Sequence, residues 1–361
     1  MKRFLSWYLF AFFTLITHAC EIPDNHQLFE DKTILILGGT GYIGRALTTE
    51  ILKYNPRRII IFSRDEVKHF EMSKIFKNNP KIHYVIGNIR DYASLLNATR
   101  TTDIVIHTAA LKRIDMLEKN VEECIKTNII GALNVFNACV INNVEKVLFI
   151  STDKACSPIN TYGACKFVSE KIFTNYDTNQ IKTKFMVARY GNVLESTGSI
   201  IPIFLEKIKK GECLTLTDPQ MTRFIMHKND SIALILNALR YGVGGEIFVK
   251  MSTSMRIVDL IDILIEKFNS PNQIDIIGLR PGEKLHETLV NEWEVPRTYI
   301  MDDFYIIRSS LTEIYFHEHL KNPIYIQLGK RILNTFSTYS SDQVVMPKAD
   351  LALFFNRLNI F

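Results

Sequence analysis

The stretch Thr33-Ile34-Leu35-Ile36-Leu37-Gly38-Gly39-Thr40-Gly41-Tyr42-Ile43-Gly44 decides the fold of this 361-residue chain. Its opening apolar run has no polar alternation, as expected for a strand buried on both faces of a parallel sheet. Glycines 38, 41 and 44 follow at three-residue spacing, and a helical stretch then runs to about Tyr54, ended by Asn55-Pro56. A glycine turn between buried strand and helix lets the backbone approach a pyrophosphate, which sits on free amides at the positive end of the helix dipole. The spacing predicts dinucleotide binding by Gly38, Thr40, Gly41, Tyr42, Ile43 and Gly44. A merely structural tight turn is the bland alternative.

Outward from this turn, apolar runs recur at Arg58 to Phe62, Ile82 to Ile86, Asp103 to His107 and Val144 to Ile150. Helical segments around 70–78, 91–100 and 116–142 separate them. A further strand near Lys184 to Ala188 and a helix from about Tyr162 to Asn175 continue the pattern. The alternation predicts right-handed βαβ units and an α/β fold, a Rossmann doubly wound parallel sheet. Beyond about residue 192 the order is less regular, which suits a smaller C-terminal substrate-binding lobe. The expected division is a leader over 1–27, a dinucleotide-binding Rossmann domain over 28–191, a substrate-binding lobe over 192–310 and a C-terminal extension over 311–361. A final helix is expected at Lys348 to Leu358.

Composition narrows the function classes. With 47% hydrophobic residues the chain can bury a sizeable core, and a net charge of +5 with both signs interspersed gives no basic stripe for nucleic acid. The six cysteines (Cys20, Cys124, Cys139, Cys156, Cys165, Cys213) form no CxxC pair, and of the nine histidines only His317 and His319 lie close together. Neither a metal site nor a disulfide framework is expected.

The N-terminus conflicts with the rest. Lys2 and Arg3 precede an apolar run from Phe4 to Ile16 and then Thr17-His18-Ala19-Cys20, the layout of a signal peptide, too short for a comfortable membrane span. Three readings stand: export, membrane contact through residues 4–16, or a start site near Leu28. A cytoplasmic enzyme is expected, because the remaining sequence demands nucleotide cofactors.

Three clusters carry the chemistry. The second strand ends Phe62-Ser63-Arg64-Asp65-Glu66, where an acid normally binds the ribose of NAD; Arg64 suits a ribose bearing a 2′-phosphate, so NADP is the expected cofactor. Tyr162 and Lys166 are four apart, on one face of a helix, where the lysine can lower the phenol pKa and hold the nicotinamide ribose. Ser151-Thr152-Asp153-Lys154-Ala155 lies at the carboxyl end of a buried strand, where open α/β sheets keep their sites. An Asp-Lys pair there supplies a proton donor and a candidate base; elsewhere it would be a solvated ion pair.

On these residues the chain resembles the 5-inverting UDP-N-acetylglucosamine 4,6-dehydratases, polysaccharide-biosynthesis members of the extended short-chain dehydrogenase/reductase group and first enzymes of the pseudaminic acid pathway. The resemblance runs from about Thr33 to Ser309, through Ala109-Ala110-Leu111-Lys112, Ser151 to Lys166, Arg189 to Val193, Met221 to Phe224 and Gly278 to Glu287. The Thr-Asp-Lys triplet is its most discriminating element, because retaining dehydratases carry Thr-Asp-Glu and epimerases usually have a Ser or Thr without the Asp-Lys pair. The resemblance implies a lyase with catalytic Thr152, Asp153, Lys154, Tyr162 and Lys166. It implies cofactor contacts from Ser63, Arg64, Asp65, Lys68, Asn88, Ile89, Ala109, Ala110 and Lys112 as well as the glycine turn, Tyr162 and Lys166. Substrate contacts follow for Lys112, Asn192, Arg223, Arg280 and Glu283, and a homo-oligomer is expected. Asn88, Arg113, Glu195 and Thr197 depart from the family pattern of Asp, His, Gly and Arg. The alternatives are a nucleotide-sugar 4-epimerase and a catalytically weak envelope-associated binding protein.

Overall fold

A computed structural model describes residues 24–178, 180–194, 196, 198–311, 330–331 and 337–361. The first six strands are β1 Thr33–Leu37, β2 Arg58–Ser63, β3 Ile82–Ile86, β4 Ile104–His107, β5 Lys146–Thr152 and β6 Lys184–Tyr190. They pair in parallel in the order β3-β2-β1-β4-β5-β6. Ile34 and Ile36 of β1 enter one core while Leu35 and Leu37 enter the other, so every residue of the strand is buried, as two helix-covered faces require. The strand order reverses beside β1 and β4, and the carboxyl ends of β1, β4 and β5 open on that crevice. Gly44 lets the following helix, Tyr42–Ile51, pack down on its own turn: a Cβ there would lie 2.3 Å from the Gly39 carbonyl oxygen.

The later strands are β7 Asn192–Val193, β8 Leu214–Leu216, β9 Thr222–Met226, β10 Glu246–Lys250, β11 Ser254–Arg256, β12 Ile274–Ile276, β13 Thr288–Val290, β14 Thr298–Met301, β15 Phe304–Ile307, β16 Lys330–Arg331 and β17 Tyr339–Ser340. The expected division at residue 192 is not a clean cut. β10 pairs in parallel with β6, and β15, β14 and β16 extend that edge antiparallel, so segments assigned to the substrate lobe complete the main sheet. The lobe itself contains the β11-β9-β7 sheet, the β12-β8 pair and the helices Ile200–Lys210 and Ile257–Phe268. Its core is closed by Leu351 and Phe355 of the helix Lys348–Arg357, and β17 pairs with β13. Within the described C-terminal residues, the helix Lys348–Arg357 therefore belongs to the lobe's framework, whereas β16 belongs to the main sheet.

The amino-terminal boundary also shifts. Asp24 caps a short helix, Asn25–Phe29, by accepting from the Gln27 amide at 2.8 Å; Leu28 and Phe29 are buried, with Phe29 stacked on Tyr54 at 5.8 Å. Asp24 to Gln27, expected in the leader, thus belong to the folded part, because the apolar pair needs a capped turn to present it. The apolar run from Phe4 to Ile16, Cys20, Glu195, Thr197, His317 and His319 lie outside the described residues. Among the described residues, one helix, Val121–Ile141, is long and apolar enough to cross a membrane. It packs against the helices Tyr92–Thr99 and Thr161–Thr174 as part of the α/β frame.

Candidate active site

The glycine turn is built to receive an anion. The Gly41 amide donates to the Gly38 carbonyl at 3.0 Å, and Gly41 heads the helix Tyr42–Ile51 with no side chain capping its first amides. The amides of such a helix start suit a phosphate. Ala109 closes against Gly38, which has room for no Cβ. Thr40, buried, hydrogen-bonds Ser63 through paired hydroxyls at 2.9 Å, and Ser63 in turn meets His69 Nε2 at 2.9 Å.

At the end of β2, Arg64 is exposed, whereas Asp65 is already engaged. It caps the helix Glu66–Ile75, accepting from the Lys68 amide at 3.1 Å through Oδ1 and pairing with Lys68 Nζ at 3.1 Å through Oδ2. Asn88 accepts from the Arg90 amide at 3.1 Å; Ile89 is buried against Gly131; Tyr42 and Ile43 are half-buried; Ala110, Lys112 and Arg113 are exposed.

The Thr-Asp-Lys triplet forms a turn at the end of β5. Thr152 Oγ1 donates to Asp153 Oδ1 at 2.8 Å, and Lys154 Nζ lies 3.0 Å from the same oxygen. Asp153 is fully buried, and its Oδ2 has no hydrogen-bond partner among the described residues. The helix Thr161–Thr174 can approach this turn because residue 163 is glycine: a Cβ there would lie 2.2 Å from the Lys154 carbonyl oxygen. Asn160 caps that helix through the Gly163 amide at 2.7 Å and donates its own amide to the Gly282 carbonyl at 2.7 Å, tying in the 278–287 loop.

The Tyr162 phenol, buried and within the field of Lys154 and Asp153, thereby joins the cluster. Burial pushes its pKa up to about 12, opposed by the positive charge of Lys154. The expected Tyr162–Lys166 coupling differs here. Lys166 donates to the Ile150 carbonyl and sits 3.9 Å from the centre of the Phe149 ring, and burial lowers its pKa to about 7. The cation acting on Tyr162 is Lys154, because Lys166 turns beneath the strand.

Sequence reasoning passed over Glu287. It is buried, with Oε1 3.2 Å from Lys154 Nζ, so the ammonium bridges two carboxylates. Burial pulls the Lys154 pKa down, but the charges of Asp153 and Glu287 outweigh that and hold it above the ordinary lysine value. Arg223, also buried, donates to the Thr222 and Leu285 carbonyls at 2.7 and 3.1 Å and lies 3.5 Å from Glu283 and 3.9 Å from Glu287. Asn192 on β7 is half-buried, and Arg280 is exposed at the rim. The structure thus gathers Thr152, Asp153, Lys154 and Tyr162 with Glu287, Arg223 and Glu283, while Lys112 and Arg280 remain peripheral. The local signal for Glu287 was an acid immediately before a strand, within a stretch from which only Arg280 and Glu283 had been selected.

Arg189 anchors the frame behind this cluster. Fully buried, it holds Glu170 of the helix Thr161–Thr174 at 2.9 and 2.6 Å, Glu294 twice at 2.8 Å and the Leu289 carbonyl at 2.8 Å.

Residues 34–309 match the family described as polysaccharide biosynthesis protein. A curated relative, UDP-N-acetylglucosamine 4,6-dehydratase (inverting) from Campylobacter jejuni, is 42% identical over 319 residues, covering 87% of this chain and 94% of its own. UDP-glucose 4-epimerase from Rickettsia bellii is 45% identical over 286 residues, covering 78% and 84%. The X-ray structure of Pen from Bacillus thuringiensis superposes with a TM-score of 0.84 at 34% identity, covering 92% of this chain and 99% of that one.

Proposed function

The chain belongs to the polysaccharide biosynthesis protein family, and from that premise we propose that it is a UDP-N-acetylglucosamine 4,6-dehydratase that inverts carbon 5. The observation that carries this reading is a lysine held between two carboxylates at the β5 end, near enough to the buried tyrosine for its charge to act on the phenol.

A bound nicotinamide dinucleotide supplies the hydride acceptor for carbon 4 and the hydride donor for carbon 6. NADP is the proposed form, because both Asp65 oxygens are occupied by Lys68 and Arg64 is left at the mouth for a 2′-phosphate. Tyr162, as the phenolate, takes the carbon-4 hydroxyl proton, and carbon 5 takes up a proton equivalent from the opposite face once the hydride has returned to carbon 6. The carbon-4 ketone acidifies carbon 5. Lys154 rests as an ammonium, so it acts as a base only after giving a proton to its nearest acceptor, Asp153 Oδ1. The amine then removes the carbon-5 proton, the electron pair forms the carbon 5–carbon 6 double bond, and Asp153 gives its proton to the departing carbon-6 hydroxyl. Water leaves, and both side chains regain their starting charges. Arg223, and Arg280 from the rim, suit the substrate diphosphate.

This reading places the enzyme in the cytoplasm, with its product entering surface polysaccharide or nonulosonic acid synthesis of the pseudaminic acid type. It includes self-association through the exposed Ile125, Ile130 and Leu133 of the helix Val121–Ile141.

Mass spectrometry of UDP-N-acetylglucosamine incubated with the protein tests the reading by loss of water. Conversion to the 4-epimer without loss of mass favours the epimerase, and an unchanged substrate favours a binding protein. Lys154→Met should slow dehydration by a factor of about a hundred to ten thousand, the usual cost of a lost general base, while reduced nicotinamide still accumulates on mixing. Tyr162→Phe should suppress that accumulation too.

A further inference from the structure

Glu287 reaches the catalytic turn from 133 residues away in the chain. Its position is fixed from behind, where its backbone amide donates to Ser341 Oγ at 2.9 Å and the Ser341 amide donates to its carbonyl at 2.8 Å. These bonds hold the backbone, and the buried carboxylate turns Oε1 to Lys154. Oε2 is buried and has no hydrogen-bond partner among the described residues; Lys284 Nζ is the nearest charge, at 3.9 Å. An ion pair in such a place needs a reason beyond stability, because desolvation offsets most of its Coulombic gain.

We infer that Glu287 is a positioning residue for the elimination: its carboxylate fixes Lys154 Nζ beside Asp153 and keeps the proton that the two share from escaping to solvent. The inference rests on the dehydratase reading and assigns to that site a residue that never needs to touch the sugar. A lysine on a flexible four-carbon stem has to be held if its amine is to meet carbon 5, and two anions fix Nζ where one would leave it a free arc. The same two anions make loss of the shared proton costly. Without that proton Asp153 has nothing to give the leaving hydroxyl. The groups facing this pair are Asp153 and Tyr162 on one side, Arg223 and its partner Glu283 on another, and Lys284 from the loop carrying Glu287, whose neighbour His286 bonds Thr222 instead. Arg223 opposes the effect on Lys154, so Asp153 and Glu287 act against it.

The test is the pH profile of kcat for UDP-N-acetylglucosamine dehydration in Glu287→Gln, with Glu287→Met, also neutral, read in its place should the amide variant not fold. In the native enzyme kcat should hold level to the alkaline side of the ordinary lysine range. In the neutral variant its alkaline fall should move to lower pH by about 1–3 units, the effect of removing one opposite charge at this distance. KM should be unchanged, reduced nicotinamide should still accumulate on mixing, and Glu287→Asp should restore the native profile at reduced kcat. An unshifted profile in the neutral variant, or parallel loss of hydride removal and water loss, overturns the inference. Native protein that dehydrates nothing at any pH overturns instead the reading on which it rests.

Discussion

Replacing Arg189 by methionine should destabilise the protein far more than it perturbs any exposed contact. The guanidinium is fully buried and makes five hydrogen bonds, to both oxygens of Glu170, both oxygens of Glu294 and the Leu289 carbonyl. Methionine fills much of the space but leaves Glu170 without its cation and Glu294 with only Arg297, 3.9 Å away. Breaking a buried pair in this way costs about 3–5 kcal/mol. Unfolding entropy of about 2.1 cal/mol/K per residue over 361 residues gives about 0.76 kcal/mol/K, so Tm should fall by roughly 4–7 °C. Differential scanning calorimetry at neutral pH measures this directly. The triple variant Arg189→Met, Glu170→Gln, Glu294→Gln should recover most of the loss, because no buried carboxylate then lacks its cation. A single variant within about 1 °C of native, or a triple variant no better than the single one, would refute the assignment of the loss to uncompensated charge.

Three further outcomes follow. Glu294 is held at about 2, against an ordinary 4.5, because Arg189's charge and hydrogen bonds overcome burial; its contribution is present above pH 4.5 and should be lost as pH falls from there towards 2, seen as a steep drop in Tm over that window that Glu294→Gln lacks. Arg64→Ala should weaken NADP binding by roughly 1.5–3 kcal/mol and leave NAD nearly untouched in calorimetric titration, whereas equal losses would leave Arg64 without a role in choosing the cofactor. A chain beginning at Asp24 should unfold as the full chain does, but one beginning at Lys32 should lose about 3–5 kcal/mol in denaturant titration, since it lacks the buried Phe29.

The legible part of this fold was local. β1 to β6 announce themselves as short apolar runs between helical periods, and the glycine turn, Thr152-Asp153-Lys154 and Tyr162 sit at strand and helix ends that periodicity locates. What escaped was set by pairing between distant segments. Nothing in Glu246–Lys250 says whether it joins β6 or a strand of the lobe, since a short apolar run suits either sheet. Glu287 reads as one more charge in a loop until the fold carries it to Lys154, and Arg189 reads as an interruption of a buried strand until Glu170 and Glu294 are seen around it. The helix at Asn25 was hidden for another reason: five residues are too few to show a period, and only the burial of Leu28 and Phe29 fixes it.

The interleaved path of the chain restricts how a new specificity can be acquired. After β6 the backbone enters the lobe, returns for β10, leaves again through β11 and β12, and returns once more for β14 and β15. A cassette of sugar-recognising sequence lifted from one gene into another would carry sheet strands with it, and their partners would be left behind. Recombination at a single junction should therefore yield mostly misfolded chimaeras. Divergence towards other sugars has to proceed residue by residue along loops such as 278–287, where Arg280 and Glu283 can change without moving a strand.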